Sequence, residues 1–333
     1  MIKMSTVVVL GAGASVPYGF PTGRELLGLA RQYGDQELKK LIFDRGYHRG
    51  LHQALHHTGN ASIDAMLEYN SDLVPAGKCL IAALLLKSEH EMHLRRHPRL
   101  ENCSEQEKKR IASEWFEILF EEMGAPKLCE FKENQVTFVT YNYDRVLEYK
   151  LQLALQVKYS PASVKADDYR DALGGTEIIH LHGQLGFLRT WTDDESKVVG
   201  FGAGVVDPAN DIFDKDKVFA AADAIKIMHE SEETSEELER ARQRISEADR
   251  VVFLGFGYAE QNLKRLQLQG TLKDNAALYL CRLGMTDSQF EHQVAPFLQD
   301  RASNLRIGKS DEDIVGFLVT VRSGHVDTGF PRC

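Results

Sequence analysis

The chain is long enough for one large domain or two moderate ones, and its composition limits what it can be. It has 333 residues, of which 43% are apolar and 27% charged, and a net charge of −9 at pH 7. This acidic balance argues against strong nucleic-acid binding by this chain alone, because no surplus of Lys and Arg is present to neutralise phosphates. The apolar runs, such as Cys79–Leu86, are too short to cross a bilayer, and those before Gly11 are too short for a signal peptide. We therefore expect a cytoplasmic protein without direct membrane contact.

Cysteine usage argues for a reducing compartment and against a metal site. The five cysteines are odd in number, widely spread, and include no C-x-x-C pair. A disulfide framework or a structural zinc site would need paired or closely spaced cysteines. His180 and His182 form a His-x-His pair, but the sequence offers no third ligand at a suitable spacing. We therefore expect no bound metal.

The first predicted elements are a buried strand, a glycine-rich loop and a helix. The apolar run Thr6–Leu10 leads into Gly-Ala-Gly-Ala-Ser at residues 11–15. An amphipathic helix follows over Thr22–Tyr33, and Thr22 and Glu25 have the spacing of a capping box at its start. A strand, a glycine turn and a helix in this order can bring the backbone close to a phosphate.

Residues 34–130 have the pattern of helices. Segments such as "SIDAMLEYNSD" and "CLIAALLLKSEHEMHL" place apolar residues three and four apart, and no strand pattern is evident in this stretch. We interpret 34–130 as a helical insertion after the first strand–helix unit.

Strand patterns return after residue 131 and alternate with helices. The predicted strands lie in "QVTFVTYN", "EIIHLHG", "ADRVVFLGFG", "AALYLCRL" and "NLRI". This alternation predicts an α/β fold, a Rossmann-like doubly wound and mainly parallel sheet with a helical insertion. Its sheet domain comprises residues 1–33 and 131–333, and Thr190–Asp216 is predicted to be an irregular loop. Ligands of such sheets bind beyond the carboxyl ends of the strands, where four polar or glycine-rich segments should converge.

The glycine loop alone does not identify a nucleotide site. The dinucleotide-binding fingerprint would place a third glycine where this chain has Val16. The acid that binds the ribose in that fingerprint has no counterpart, because Asp35 lies at about the right distance but in helical sequence. A dehydrogenase is therefore disfavoured. The interpretation of the loop as a tight strand-to-helix turn, as in any α/β protein, stays open.

The other strand ends have both a structural and a chemical interpretation. Asp144 can simply cap the helix that follows it, and Asn142 can point into the crevice or take part in the turn. His182 stands before Gly183, where a catalytic base could be presented, whereas His180 fits a packed or supporting role. The glycines at Gly255–Asn262 can receive a ribose or phosphate, or serve as a helix entry.

The order of these four segments resembles the sirtuin superfamily. The sirtuin counterparts are a Gly-Ala-Gly-x-Ser loop, a Gln-Asn-Ile-Asp motif, a His-Gly pair and a Gly-Thr-Ser turn. The resemblance covers about residues 5–33 and 135–310 and is strongest to the prokaryotic sirtuin-like branch, many of whose members consume NAD in antiphage defence. The resemblance implies that the phosphate-binding loop comprises Gly11, Ala12, Gly13 and Ser15, and that Asn142 and His182 are the catalytic pair. It implies that Asp144 holds loop and nicotinamide contacts and that Gly255 and Gly257 line the adenosine end. Asn262 falls where the defence branch often has a polar residue.

The departures from the sirtuin pattern bear on the reaction. Deacylating sirtuins have a four-cysteine zinc ribbon, which this sequence lacks, and Tyr141 replaces the Gln before the catalytic Asn. The resemblance therefore implies NAD as a substrate, no metal, and hydrolysis of the nicotinamide–ribose bond rather than deacylation. Two alternatives stay open: a non-catalytic module that binds NAD or ADP-ribose, and an NAD-dependent protein deacylase or ADP-ribosyltransferase.

Unregulated hydrolysis of NAD would be toxic, so we expect regulation. Assembly into homo-oligomers is one route, and contact with a partner ATPase, translocase or nucleic-acid sensor is another. The amphipathic helices of 34–130 could serve either contact or form only the core of their own subdomain.

Overall fold

A six-stranded parallel sheet forms the centre of the computed structural model, which describes residues 1–42, 50–59, 62–94, 104–160, 164–207, 212–227, 235–298 and 304–322. Its strands are β1 Thr6–Leu10, β2 Val136–Thr140, β3 Glu177–His180, β6 Arg250–Leu254, β7 Ala277–Leu280 and β8 Leu305–Ile307. A separate antiparallel pair consists of β4 Val205–Asp207 and β5 Ile212–Phe213. The sheet order is β3-β2-β1-β6-β7-β8 with every neighbour parallel. The five strands predicted after residue 131 and the predicted fold class are confirmed.

Helices cover both faces of this sheet. Their bounds are α1 Gly23–Gln32, α2 Asp35–Ile42, α3 Gly50–His57, α4 Ile63–Glu68, α5 Val74–Leu94, α6 Glu105–Ala112, α7 Phe116–Met123, α8 Val146–Lys158, α9 Ala166–Leu173, α10 Lys215–Ala224, α11 Glu236–Glu247, α12 Glu260–Leu266, α13 Leu268–Thr271, α14 Asp287–Gln293 and α15 Ile314–Arg322. The predicted capping box of α1 is present, because Thr22 accepts from the Glu25 N–H and Glu25 accepts from the Thr22 N–H. No described helix is long and apolar enough to cross a membrane.

The strands separate two apolar cores. Along β1, Val8 and Leu10 face a core shared with α1, α5 and α8, whereas Val7 and Val9 face a core shared with α11 and α12. Side chains of a strand alternate between the faces of the sheet, so a strand buried on both faces must be apolar throughout. Each fully buried Val or Leu contributes roughly 1.5–3 kcal/mol, which explains why the uninterrupted apolar run of β1 lies at the centre.

The described residues between 34 and 130 contain helices and no strand, as expected from the sequence. Helix α5 is nevertheless not confined to a separate core, since its buried face belongs to the same apolar cluster as Val8 and Leu10 of the sheet. The division into a sheet domain and an inserted subdomain stays a prediction.

The segment Thr190–Asp216 has more regular structure than its sequence predicts. It contains two short 3₁₀ turns and the antiparallel pair β4–β5, while residues 208–211 lie outside the described residues. Strands of two and three residues are too short for an alternating pattern to be recognised.

The sheet reverses its strand order at β1. From β1 the chain continues to β2 and β3 on one side, and later to β6, β7 and β8 on the other. In open parallel sheets the crevice at this reversal is where ligands bind. The loops after β1, β2 and β6 meet there, so the topology brings three of the four predicted segments to one edge.

Candidate functional site

The loop after β1 packs directly against the loop after β6. The Gly13 N–H donates to the Gly255 carbonyl at 2.9 Å. A Cβ on Gly11 or Gly13 would lie 2.7 or 2.8 Å from that carbonyl oxygen. A Cβ on Gly255, whose φ is +59°, would lie 2.0 Å from the Ala14 nitrogen. These three glycines are therefore needed for backbone-to-backbone contact between two loops.

Hydrogen bonds within this loop and to the end of β6 occupy most of the N–H groups that were expected to bind a phosphate. Four residues of the loop donate their N–H groups to backbone carbonyls, namely Gly11, Gly13, Ala14 and Ser15. Within the described residues, the Ala12 N–H has no such bond. In this loop conformation a phosphate would meet one free N–H rather than a cradle of several.

Asn142 is fixed beneath the same loop. Its Nδ2 donates to the Gly11 carbonyl and to Ser15 Oγ, both at 3.1 Å, and its backbone N–H donates to Thr140 Oγ1 at 3.0 Å. Because the Gly11 carbonyl can only accept, the amide nitrogen must face it. The other amide atom, Oδ1, is buried without a hydrogen-bond partner among the described residues. The Asn142 side chain therefore offers one acceptor.

Asp144 joins the loop to the start of α8. Its Oδ1 accepts from Ser15 Oγ at 3.0 Å and from the Val146 N–H at 3.2 Å. Asp144 thus bonds the first N–H of α8, although Arg145 occupies the N-cap position, and its role in loop and nicotinamide contacts stays a prediction. Burial raises the pKa of the Asp144 carboxyl to about 6, although the hydrogen bonds from Ser15 and Val146 act in the opposite direction.

His182 lies among aromatic rings at the end of β3. Its ring centroid is 5.5 Å from that of Tyr141 and 6.2 Å from that of Tyr143. Burial, and secondly the positive charge of Arg265, lower the pKa of His182 to about 4. The imidazole is therefore neutral at pH 7, the state that a proton acceptor needs.

Tyr141 connects His182 to the segment after β6. Its hydroxyl donates to the Asn262 carbonyl at 3.0 Å, and its ring packs against Phe256 with 5.2 Å between centroids. Asn262 thus meets the site through its carbonyl, and its Oδ1 is buried without a partner among the described residues. Gly257 is exposed and a Cβ there would meet nothing within 4 Å, so no packing demand explains that glycine.

His180 contacts other groups than the tyrosine rings that surround His182. His180 Nδ1 lies 3.0 Å from the Asn142 carbonyl oxygen, and its Nε2 lies 2.7 Å from Glu148 Oε1. The strand ends at His180, so the alternation that would place both rings on one face does not extend to His182. Burial is the largest single influence and would lower the pKa of His180, but the Glu148 carboxyl, the Asn142 carbonyl and the Asp144 carboxyl together outweigh it and raise the pKa above its usual value.

Three buried charged residues of this region escaped the sequence analysis. Glu148 follows Asp144 by one helical turn, a spacing that could have drawn attention to it. Glu89 and Arg145 form a pair that is 0% exposed, with 2.6 Å between Arg145 Nη2 and Glu89 Oε2. Arg145 also donates to the carbonyls of Val199 and Gly200. No sequence pattern links residues 89, 145 and 200.

The site is closed. Asn142 is 8% exposed and His182 5%. The enclosed cavity bordered by Ser15, Asn142 and Asp144 measures about 20 Å³, which is room for about one water molecule. A larger cavity of about 840 Å³ opens beside Phe20 and α1, but none of the predicted site residues lines it. A dinucleotide needs a pocket of several hundred Å³, so it can reach Asn142 only if the surrounding loops move.

Metal ligands are not grouped in the described part of the chain, where no three His, Cys, Asp or Glu side chains could hold one ion together. The polar groups around Asn142 and Asp144 are an amide oxygen, a hydroxyl and a carboxyl of raised pKa, all of which form hydrogen bonds.

Comparison with known proteins relates part of the chain to one family. No curated protein matches the chain. The family model described as the SIR2-like domain matches residues 136–277, the part of the chain that runs from β2 into β7 and contains Asn142, His182 and Gly255. SIR2-like domains bind NAD and are generally NAD-dependent enzymes, which suggests an NAD-related function. The match and the parallel sheet together support a sirtuin-like superfamily member.

Proposed function

We propose that the protein is an NAD⁺ glycohydrolase that cleaves the nicotinamide–ribose bond to give nicotinamide and ADP-ribose. One observation carries the proposal: the amide of Asn142 and the neutral imidazole of His182 stand at the carboxyl ends of adjacent strands, inside the SIR2-like match. When the leaving group is already cationic, hydrolysis of a glycosidic bond needs a group that orients the ribose or the water and a group that accepts a proton. The Asn142 amide oxygen without a hydrogen-bond partner and the uncharged imidazole of His182 suit these two tasks.

The proposed reaction needs no acid for the leaving group. The bond between the ribose anomeric carbon and the nicotinamide nitrogen breaks with its electron pair going to nicotinamide, which leaves as a neutral molecule. An oxocarbenium-like transition state forms, as in sugar hydrolysis. Asn142 Oδ1 accepts a hydrogen bond from water or from a ribose hydroxyl, water oxygen bonds to the anomeric carbon, and His182 accepts the released proton.

The charges around Asn142 suit this transition state. Glu148 and Asp144 are carboxyl groups, and His180 faces both of them. Above the pKa of Asp144, near 6, that carboxyl group is ionised and adds a negative charge to the buried cluster. Such a cluster stabilises positive charge that develops on the ribose.

The test is to incubate NAD with the purified protein, alone and with lysate of phage-infected cells, and to measure the released nicotinamide by chromatography. We expect His182→Ala and Asn142→Ala each to lower the rate about 10²–10⁴-fold while each variant stays folded. The exposed residue His292, replaced by Ala, is the matched control and should keep the parent rate. Parent-like hydrolysis by either folded site variant would contradict the assignment.

The same assay separates the alternatives. Binding of ADP-ribose without any nicotinamide release would identify a non-catalytic module. NAD consumption that depends on an acyl-lysine peptide, or ADP-ribose attached to a protein, would identify a deacylase or a transferase.

We propose further that the enzyme is a regulated effector that depletes NAD in antiphage defence. The closed site supports regulation, because a site that admits no dinucleotide at rest would spare the NAD pool until it opens. Homo-oligomers, or a partner ATPase, translocase or nucleic-acid sensor, are the proposed triggers. Light scattering of the protein with and without NAD and candidate partners tests this, and a monomer that hydrolyses NAD at full rate unaided would contradict it.

A further inference from the structure

His180 contacts a carbonyl oxygen, which can only accept hydrogen bonds, and a carboxyl group, which only accepts them when it is ionised. One is the Asn142 carbonyl oxygen, 3.0 Å from Nδ1, and the other is Glu148 Oε1, 2.7 Å from Nε2. A neutral imidazole has one N–H and one lone pair, so with an ionised Glu148 it would leave one of these contacts unfavourable. A doubly protonated ring satisfies both.

The surroundings balance the charge of such a ring. His180 and Glu148 are both more than nine-tenths buried, and the Asp144 carboxyl also faces the ring. Lys150 borders the same cavity, but its ammonium group is paired with Glu114 and Glu117. A buried cation is costly unless it is paired, and here the pairing is with the carboxylate of Glu148.

The bond from His180 completes the fixation of Asn142. The backbone N–H of Asn142 is held by Thr140, its amide nitrogen by Gly11 and Ser15, and its carbonyl oxygen by His180. Three of its four polar atoms are thereby bonded, and Oδ1 is the one left over. Rotation of the amide or of its peptide would break at least one of these bonds, so the direction of Oδ1 is fixed.

We propose that His180 is a positioning residue, an imidazolium paired with Glu148 that holds the Asn142 main chain and thereby aims Asn142 Oδ1. Only the expected effect on NAD turnover rests on the proposed function, whereas the protonation state and the positioning of Asn142 do not. The proposed role divides the two histidines of the His-Leu-His-Gly segment chemically: His180 is charged and structural, whereas His182 is neutral and is the proposed base.

The protonation states can be measured without any substrate. In protein labelled with ¹⁵N-histidine, we expect both ring nitrogens of His180 to have imidazolium shifts near pH 7, and His182 to have those of a neutral ring. Glu148→Gln keeps the size of the side chain and removes its charge, so His180 should become neutral in that variant. A neutral His180 in the parent protein would overturn the proposal.

The positioning role has a second readout that is also independent of activity. The Asn142 side-chain NH₂ signal, assigned by its loss in Asn142→Ala, should exchange with solvent faster in His180→Gln. His93→Gln is the matched control, since His93 contacts Tyr149 on the same helix as Glu148 but neither Glu148 nor Asn142. Unchanged exchange in a folded His180→Gln would contradict the role.

Turnover supplies the third readout. Misplacing a reacting group by about 1 Å can cost about 10²-fold in rate. We expect His180→Gln and Glu148→Gln to lower kcat about 10–100-fold with KM within about twofold of the parent. A parent kcat in folded His180→Gln would refute positioning. Absence of turnover in the parent, both alone and with lysate of phage-infected cells, would refute the proposed function, while the two NMR readouts would still decide the role of His180.

Discussion

Burial acts in opposite directions on two neighbouring titratable side chains of the site. It lowers the pKa of His182 to about 4 and raises that of Asp144 to about 6, because in each case desolvation disfavours the charged form. At pH 7 His182 is therefore neutral, whereas Asp144, with a pKa about one unit lower than the pH, is mostly ionised. The shifts are consequences of the fold that can be measured before any substrate is known.

His182 should make the protein sensitive to mild acid. Its pKa is about 4 when folded and near 6.5 when unfolded, so the unfolded chain binds the extra proton between these values and stability falls as pH drops from 6.5 to 4. At about 1.4 kcal/mol per pKa unit, the loss attributable to this residue is about 3 kcal/mol. Asp144 acts in the opposite sense, because its raised pKa favours the folded state at low pH.

The prediction is tested by urea unfolding of the parent and of His182→Gln at several pH values. The variant should lose about 3 kcal/mol less than the parent between neutral pH and pH 4. Asp144 is unchanged in both proteins, so its contribution largely cancels in the comparison. Parallel pH profiles for the two proteins would show that folding does not lower the pKa of His182.

Single elements explain which parts of the fold could be predicted. Strands such as β1 and β6 are apolar on both faces, so an uninterrupted run of Val, Leu and Phe was enough to identify them. The β4–β5 pair was missed because it is too short to have a period. The four motifs could be placed at strand ends, but the pairing of Arg145 with Glu89 depends on residues 56 positions apart, which no local pattern encodes.

The loops after β1 and β6 offer a matched pair of glycines for testing their packing. A Cβ on Gly255 would approach the Ala14 nitrogen to 2.0 Å, at a positive φ that disfavours other residues, whereas a Cβ on Gly257 would meet nothing within 4 Å. We expect Gly255→Ala to lower the free energy of unfolding by about 2–4 kcal/mol. Gly257→Ala should stay within about 0.5 kcal/mol of the parent. Equal stability of both variants in urea unfolding would refute the close loop packing.

At the scale of the whole molecule, one buried ion pair connects the predicted helical insertion to the site. Glu89 lies on α5, and Arg145 precedes α8 directly after Asp144. Glu89 Oε2 also accepts from the Gly202 N–H at 3.1 Å, and Arg145 reaches the carbonyls of Val199 and Gly200. The pair thus holds together α5, the start of α8 and the segment that leads into β4. A signal that moves α5 would reach Asp144 through this pair.

Removal of Glu89 should therefore destabilise the protein far more than removal of an exposed partner. Glu89→Ala leaves Arg145 buried without its carboxylate, which typically costs about 3–5 kcal/mol. The exposed pair of Lys132 and Asp171 is the control, and Asp171→Ala should cost about 1 kcal/mol or less. Urea unfolding measures both. If Glu89→Ala proves as mild as Asp171→Ala, the buried pair does not hold α5 to the sheet, and a coupling between the insertion and the site would need another route.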